Sequence, residues 1–109
     1  MFRTTLRPSL ALAVALAATT VWLKAASHPV TQKGKVFAPG TITLKAGESV
    51  TFKNDDDVTH NAFSTSKGNE FNAKAQTPGS SADVVFKTKG KVAVKCAFHP
   101  GMSLVVNVE

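Results

Sequence analysis

The stretch KCAFHPGM, residues 95–102, contains a thiol, an imidazole and a thioether within seven positions. In the residues before it, valines alternate with other residues, so that Cys96 falls on the inward face of a predicted strand. Pro100 and Gly101 cannot continue a strand and favour a turn. Every second residue from Leu104 to Val108 is again apolar, which predicts a last strand. The three sulfur and nitrogen side chains are therefore expected to converge in a turn between two strands.

Upstream, the chain shows the two-residue period of short, half-buried strands from Thr31 onward. Ile42 and Leu44 alternate with polar residues, and Val50 and Phe52 do the same. The Ala46-Gly47-Glu48 turn lies between the two pairs, so the pattern predicts a β-hairpin. No segment of this region has a helical period.

A polar connection, residues 64–82, interrupts the strands. Phe71 is its only large apolar residue, and we expect it to pack on the core while the connection crosses from one sheet to another. Val84 and Phe86 then resume the strand period. The sequence thus predicts a single all-β domain, a Greek-key β-sandwich.

A second imidazole, His60, stands far upstream of the 95–102 stretch. It follows the acidic run 55–57, which we interpret as a solvated loop, and precedes Asn61. Two histidines, one cysteine and a weakly bound methionine are the ligand set of a type 1 copper centre. We therefore predict one mononuclear copper, although these ligand types do not exclude zinc. The predicted ligands are His60, Cys96, His99 and Met102.

These motifs resemble those of the cupredoxins, the type 1 blue copper proteins, including plastocyanin and especially the small amicyanin and pseudoazurin branch. The spacing from Cys96 to Met102 is similar to that of amicyanin, although Phe98 replaces a proline found there. The resemblance implies that Asn61 supports the thiolate and joins the two ligand loops. It also implies that His99 is the exposed ligand, within an apolar docking patch that we assign to Phe98, Pro100 and Gly101.

The first 26 residues are typical of a secretory signal peptide. Arg3 and Arg7 precede an apolar run, and Ala25-Ala26-Ser27 offers small residues for cleavage, which we expect between positions 25 and 27. The run is shorter than the about 20 apolar residues that a transmembrane anchor needs, which leaves an uncleaved anchor as the less favoured alternative. We therefore expect a periplasmic copper domain spanning 27–109, with no stable membrane insertion after cleavage.

Three functions are compatible with this set of predicted ligands. The first is a one-electron carrier that works with redox protein partners as a monomer, and the alternative is a copper delivery, storage or sensing module. A third, enzymatic reading makes Cys96 a nucleophile with His60 or His99 as base and Asn61 as its orienting residue, but no substrate cleft is evident and we predict no enzyme. Residues 27–109 carry ten lysines against seven acidic residues, a net charge of +3 that is too small to suggest nucleic-acid binding.

Overall fold

The computed structural model describes Thr5 and residues 25–109, so the predicted leader lies almost wholly outside the described residues. Within residues 25–109 the ordered elements are nine β-strands, and no helix in the described part is long and apolar enough to cross a membrane. The strands are β1 Ser27–Lys33, β2 Val36–Ala38, β3 Thr41–Leu44, β4 Ser49–Asn54, β5 Phe63–Ser64, β6 Phe71–Asn72, β7 Ser81–Val85, β8 Gly90–Lys95 and β9 Ser103–Val108.

The strands form two sheets that pack as a sandwich. One sheet has four strands in the order β2-β1-β4-β7, and the other has five in the order β3-β9-β8-β5-β6. β1 pairs with β4 and β3 pairs with β9 in parallel, whereas the remaining neighbours are antiparallel. The prediction of an all-β sandwich is confirmed.

The predicted hairpin between β3 and β4 is wrong. β3 pairs with β9 and β4 pairs with β1 and β7, so the turn after β3 carries the chain from one sheet to the other. In that turn the Ala46 amide donates to the Glu109 carbonyl, and the Gly47 amide donates to the Phe86 carbonyl. Alternation of apolar residues identifies the buried face of a strand, but it does not identify the partner strand.

Two further details of the strands differ from the sequence-based expectation. β1 begins at Ser27, four residues earlier than expected, because Ser27 to Gln32 pair in register with Ser49 to Asn54. The polar connection contains the two-residue strand β6, which pairs with β5 at a sheet edge. Strands this short leave no periodic pattern to recognise.

Phenylalanine side chains hold the two sheets together. The ring of Phe52 lies 6.1 Å from that of Phe37 and 5.9 Å from that of Phe71, and Phe71 lies 5.7 Å from Phe86. Phe71 therefore fastens the connection between β5 and β7 to the core, as the sequence predicts. The buried apolar residues are Val30, Phe37, Leu44, Val50, Phe52, Ala62, Phe86, Val92, Val94, Cys96, Met102, Leu104, Val106 and Val108.

β4 and β8 both run toward the same end of the sandwich, which we call the site end. It consists of the loop 55–62, which follows β4, and the turn 96–102, which joins β8 to β9. The two segments that carry the predicted ligands are thus brought side by side by the strand order.

Candidate metal centre

Cys96 enters the site as a continuation of β8. Val92 and Val94 are buried while the residues between them are exposed, and the same alternation buries Cys96 to 3% exposure. The turn then closes through a 2.9 Å hydrogen bond from the Met102 amide to the His99 carbonyl. A cysteine facing inward at a strand end and a histidine in the following turn can therefore approach one another.

Three donor atoms converge at the site end. His60 Nδ1 lies 3.2 Å from His99 Nδ1, and Cys96 Sγ lies 3.8 Å from His99 Nδ1. All three donors lie within 4.8 Å of one another. Bonds from one first-row ion to imidazole nitrogen and thiolate sulfur are about 2.0 to 2.3 Å long, so a single ion can reach all three atoms. The donor set fits one copper, with two imidazoles and a thiolate.

Met102, the predicted fourth ligand, is 1% exposed and belongs to the same buried cluster as Cys96. Its surroundings are apolar, since Leu104 and Val94 are also members of that cluster. The Met102 side chain is therefore shielded from solvent within the apolar core.

Asn61 connects the two ligand-bearing segments with its side chain. Oδ1 accepts a 3.2 Å hydrogen bond from the Ala97 amide, next to Cys96. Nδ2 donates to Asn72 Oδ1 and to the Lys74 carbonyl, both at 2.9 Å. Asn61 itself is almost fully buried, and its side chain links segments whose own residues are exposed.

The backbone of His60 is fixed by a two-way bridge with Gln76. The His60 amide donates to the Gln76 carbonyl at 2.9 Å, and the Gln76 amide donates to the His60 carbonyl at 2.7 Å. The Gln76 side chain is itself held by Gln32 Nε2, 2.8 Å away, and by the carbonyl of Phe52. The sequence does not predict this bridge, because the two residues are 16 positions apart and both lie outside the regular strands.

The sequence analysis also did not predict that Asp56 belongs to the site. We interpreted the acidic run as solvated loop, but Asp56 Oδ2 lies 2.9 Å from His60 Nε2. This hydrogen bond, followed in importance by one from the Lys35 amide, holds the pKa of the Asp56 carboxyl well below its usual range. The spacing of four residues between Asp56 and His60 was the available signal, but such a spacing suggests contact only when the loop conformation is known.

The residues expected to form the docking patch lie at the surface next to His99. Phe98 is 53% exposed, and Pro100 and Gly101 are exposed as well. His99 is half-buried, whereas His60 is fully buried. His99 is therefore the ligand through which the site approaches solvent.

An open cavity of about 390 Å³ lies elsewhere, between the edges of the two sheets. It is lined by residues of β6 and β7 and their neighbours, including Phe71, Val84 and Lys87. None of the predicted ligands borders it. This cavity therefore offers no substrate cleft to a Cys96 nucleophile.

An all-β sandwich with two histidines and a cysteine at one end defines a cupredoxin, a class of copper protein. A sequence model of the copper binding proteins of the plastocyanin/azurin family matches residues 23–109. The chain therefore belongs to the plastocyanin/azurin family of copper binding proteins, and its three converging donors are positioned to bind one copper.

Two curated proteins illustrate the similarity in sequence. The methylamine utilization protein MauL of Methylophilus methylotrophus is 32% identical over 77 residues, covering 68% of this chain and 44% of that protein. The chloroplastic plastocyanin of Tetradesmus obliquus is 34% identical over 86 residues, covering 67% of this chain and 57% of that protein. The chain thus spans about half the length of these relatives.

Among solved structures, the amicyanin of Paracoccus versutus is similar in fold. It superposes with a TM-score of 0.68 at 26% identity, covering 80% of this chain and 85% of that one. The superposition supports the fold assignment made from the sequence.

Proposed function

We propose that this protein is an exported one-electron carrier in which His60, Cys96, His99 and, more weakly, Met102 would hold a single type 1 copper. Bound copper would supply the chemistry, alternating between Cu(I) and Cu(II). The observation that carries the proposal is the convergence of two imidazole nitrogens and one thiol sulfur within 4.8 Å. Thiolate and thioether suit Cu(I) and imidazole suits Cu(II), so this ligand set accommodates both states.

The protein around these side chains restricts their movement. Asn61 connects the His60 loop to the residue after Cys96, and Gln76 fixes the backbone of His60 on its other side. Burial of Cys96 and His60 excludes water from the thiolate and from one imidazole. A site held in this way changes little between oxidation states, which favours rapid electron transfer.

Electrons would enter and leave through His99. It is the half-buried ligand, and Phe98 beside it is the most exposed phenylalanine in the described chain. An exposed apolar surface beside a redox centre suits brief contacts with redox protein partners. Copper delivery, storage or sensing is less favoured, because buried His60 and Cys96 cannot easily pass their metal to another protein. The same burial argues against an enzyme, and the cavity lined by Phe71 and Val84 lies away from Cys96.

The proposed location is the periplasm, with residues 1–26 as the signal peptide and 27–109 as the working domain. The support is the order of basic, apolar and small residues in that segment. A further support is that β1 begins at Ser27, so cleavage at 25–27 would leave the paired residues from Ser27–Ser49 to Gln32–Asn54 in place. Mass spectrometry of the exported protein identifies its first residue.

The decisive experiment is visible absorption and EPR spectroscopy of residues 27–109 loaded with Cu(II), followed by reduction with ascorbate and reoxidation. We expect an intense thiolate-to-copper band and a narrow copper hyperfine splitting, both lost on reduction and restored by oxidant. Cys96→Ser should abolish the band, whereas His28→Gln, which changes the one histidine outside the site, should preserve it. A colourless tetragonal copper complex in the unaltered protein would contradict the proposal.

A further inference from the structure

The carboxylate of Asp56 contacts the edge of the His60 ring that points away from the other donors. His60 presents Nδ1 to His99 and Cys96, while its Nε2 lies 2.9 Å from Asp56 Oδ2. We propose that Asp56 is a positioning residue of the copper site, which fixes the His60 tautomer and favours Cu(II) over Cu(I). The proposal rests on the copper function proposed above.

The first step of the argument concerns the proton on the His60 ring. An ionised carboxylate only accepts hydrogen bonds, so the short contact requires that Nε2 carries the proton. A neutral imidazole with its proton on Nε2 has its free lone pair on Nδ1. Nδ1 is the atom that faces the other donors. The hydrogen bond to Asp56 therefore leaves the Nδ1 lone pair free and directed at the metal site, even in the metal-free protein.

The second step is that Asp56 is held in place as an ionised acceptor. Its Oδ2 also accepts from the Lys35 amide at 3.2 Å, and its Oδ1 accepts from the Asp57 amide at 3.0 Å. Both carboxylate oxygens therefore have donors besides the imidazole. Three donors directed at one carboxylate favour its charged form.

The third step is that the same buried framework fixes both partners. The Asp56 amide donates to Oδ1 of Asn54, which is fully buried. Nδ2 of Asn54 donates to the Gln76 carbonyl, and this is the same carbonyl that accepts from the His60 amide. The carboxylate and the ring are therefore positioned relative to each other by one hydrogen-bond network.

The fourth step concerns charge. The Asp56 side chain is only 14% exposed, so its negative charge is less screened by solvent than that of a surface residue. A negative charge hydrogen-bonded to a ligand stabilises the more positive state of the metal. Asp55 provides the contrast, because its side chain is 37% exposed and lies 3.6 Å from Lys53.

The test compares Asp56→Asn with Asp55→Asn, which remove the same charge from neighbouring positions. Changing a group that orients a ligand costs about 10- to 100-fold in metal affinity. We expect Asp56→Asn to lower the ratio of Cu(II) to Cu(I) affinity by about tenfold, which raises the reduction potential by about 59 mV for one electron. Asp55→Asn should change the potential far less, and salt should remove that change. Equal shifts in the two variants, or no shift in Asp56→Asn, would overturn the proposal.

A second measurement needs no copper. Nitrogen-15 NMR of the metal-free protein distinguishes a ring nitrogen that carries a proton from one that does not. We expect His60 to be protonated on Nε2 alone in the unaltered protein and to populate both tautomers in Asp56→Ala, with amide spectra confirming that the variant is folded. The Nε2 tautomer persisting alone in Asp56→Ala would overturn the positioning role. If the unaltered protein lacked the blue copper spectrum, the proposed function would fail while this measurement still decided the role of Asp56.

Discussion

Asn61 and Ala97 are 36 residues apart in the chain, yet the Ala97 amide donates a hydrogen bond to Asn61 Oδ1 at 3.2 Å. This bond connects the loop after β4 to the turn after β8, and each of these segments supplies a predicted ligand. The Asn61 side chain, which is nearly fully buried, thus helps to set the position of His60 relative to Cys96.

Replacing Asn61 with alanine should therefore destabilise both the metal site and the fold. The change removes three hydrogen bonds, to the Ala97 amide, Asn72 Oδ1 and the Lys74 carbonyl, and a typical intramolecular hydrogen bond contributes about 0.5–1.5 kcal/mol. We expect a decrease of about 2 kcal/mol in the free energy of unfolding of the metal-free protein. Urea denaturation measures it, with Asn107→Ala on the outer side of β9 as control; equal losses in both variants would contradict the argument.

Met102→Leu separates the packing role of this residue from its proposed role as an axial ligand. Leucine preserves the apolar volume, so the free energy of unfolding should change by less than about 1.5 kcal/mol. Loss of the thioether should nevertheless alter the copper absorption spectrum and raise the reduction potential, since the axial ligand tunes both. Redox titration and absorption spectra check this, and a variant with unchanged spectrum and potential would show that Met102 is only a core residue.

Phe98→Asp tests the proposed docking patch. Because Phe98 is 53% exposed, the substitution should change stability by no more than about 0.5 kcal/mol. A charge in an apolar contact should slow electron self-exchange by about tenfold, which needs only about 1.4 kcal/mol. Line broadening in NMR of mixed oxidation states measures the rate. The control is Val85→Asp on β7, where the wild-type side chain is 50% exposed and lies away from the site; equal slowing there would exclude a specific patch.

Phe52→Ala should strongly destabilise the core. Its ring is fully buried and contacts both Phe37 and Phe71, so the substitution removes a large apolar contact and leaves a cavity. We expect a loss of about 3–5 kcal/mol, much of the stability of a domain this small. Urea denaturation should show a smaller loss for Phe52→Leu, and equal losses would contradict the cavity argument.

Glu48 should contribute to stability in a pH-dependent manner. The Lys45 amide donates to Glu48 Oε1 at 2.6 Å, and this bond, assisted by His28, holds the pKa of the Glu48 carboxyl below its ordinary value. A lowered folded-state pKa stabilises the protein above the unfolded pKa of about 4.3, and this contribution is lost as the pH falls through the folded-state pKa. Glu48→Gln should therefore lower the melting temperature at pH 7, and the difference from the unaltered protein should shrink below about pH 4. A difference that stayed constant to pH 3 would contradict this account.

The sequence was sufficient to predict which residues face the core, because alternation reports burial directly. The inward positions of Phe52 and Cys96 are examples, and the convergence of Cys96 with His99 followed from their short separation. The pairing of β3 with β9 was not predictable, since parallel partners that are distant in the chain leave no local pattern. Asp56 was missed for a related reason: its contact with His60 depends on a loop conformation that Asn54 and Gln76 set from the interior.

The parallel alignment of β1 with β4 has a practical consequence for electrochemistry. β1 starts at Ser27, opposite Ser49, and runs toward the site end, so Ser27 lies about 20 Å from it at about 3.3 Å per residue. A linker attached before Ser27 should fasten the protein to an electrode with His99 facing the solution. Current through a layer of protein attached in this way would depend on soluble partners reaching His99. A linker placed in the turn 96–102 would instead hold the metal site against the electrode.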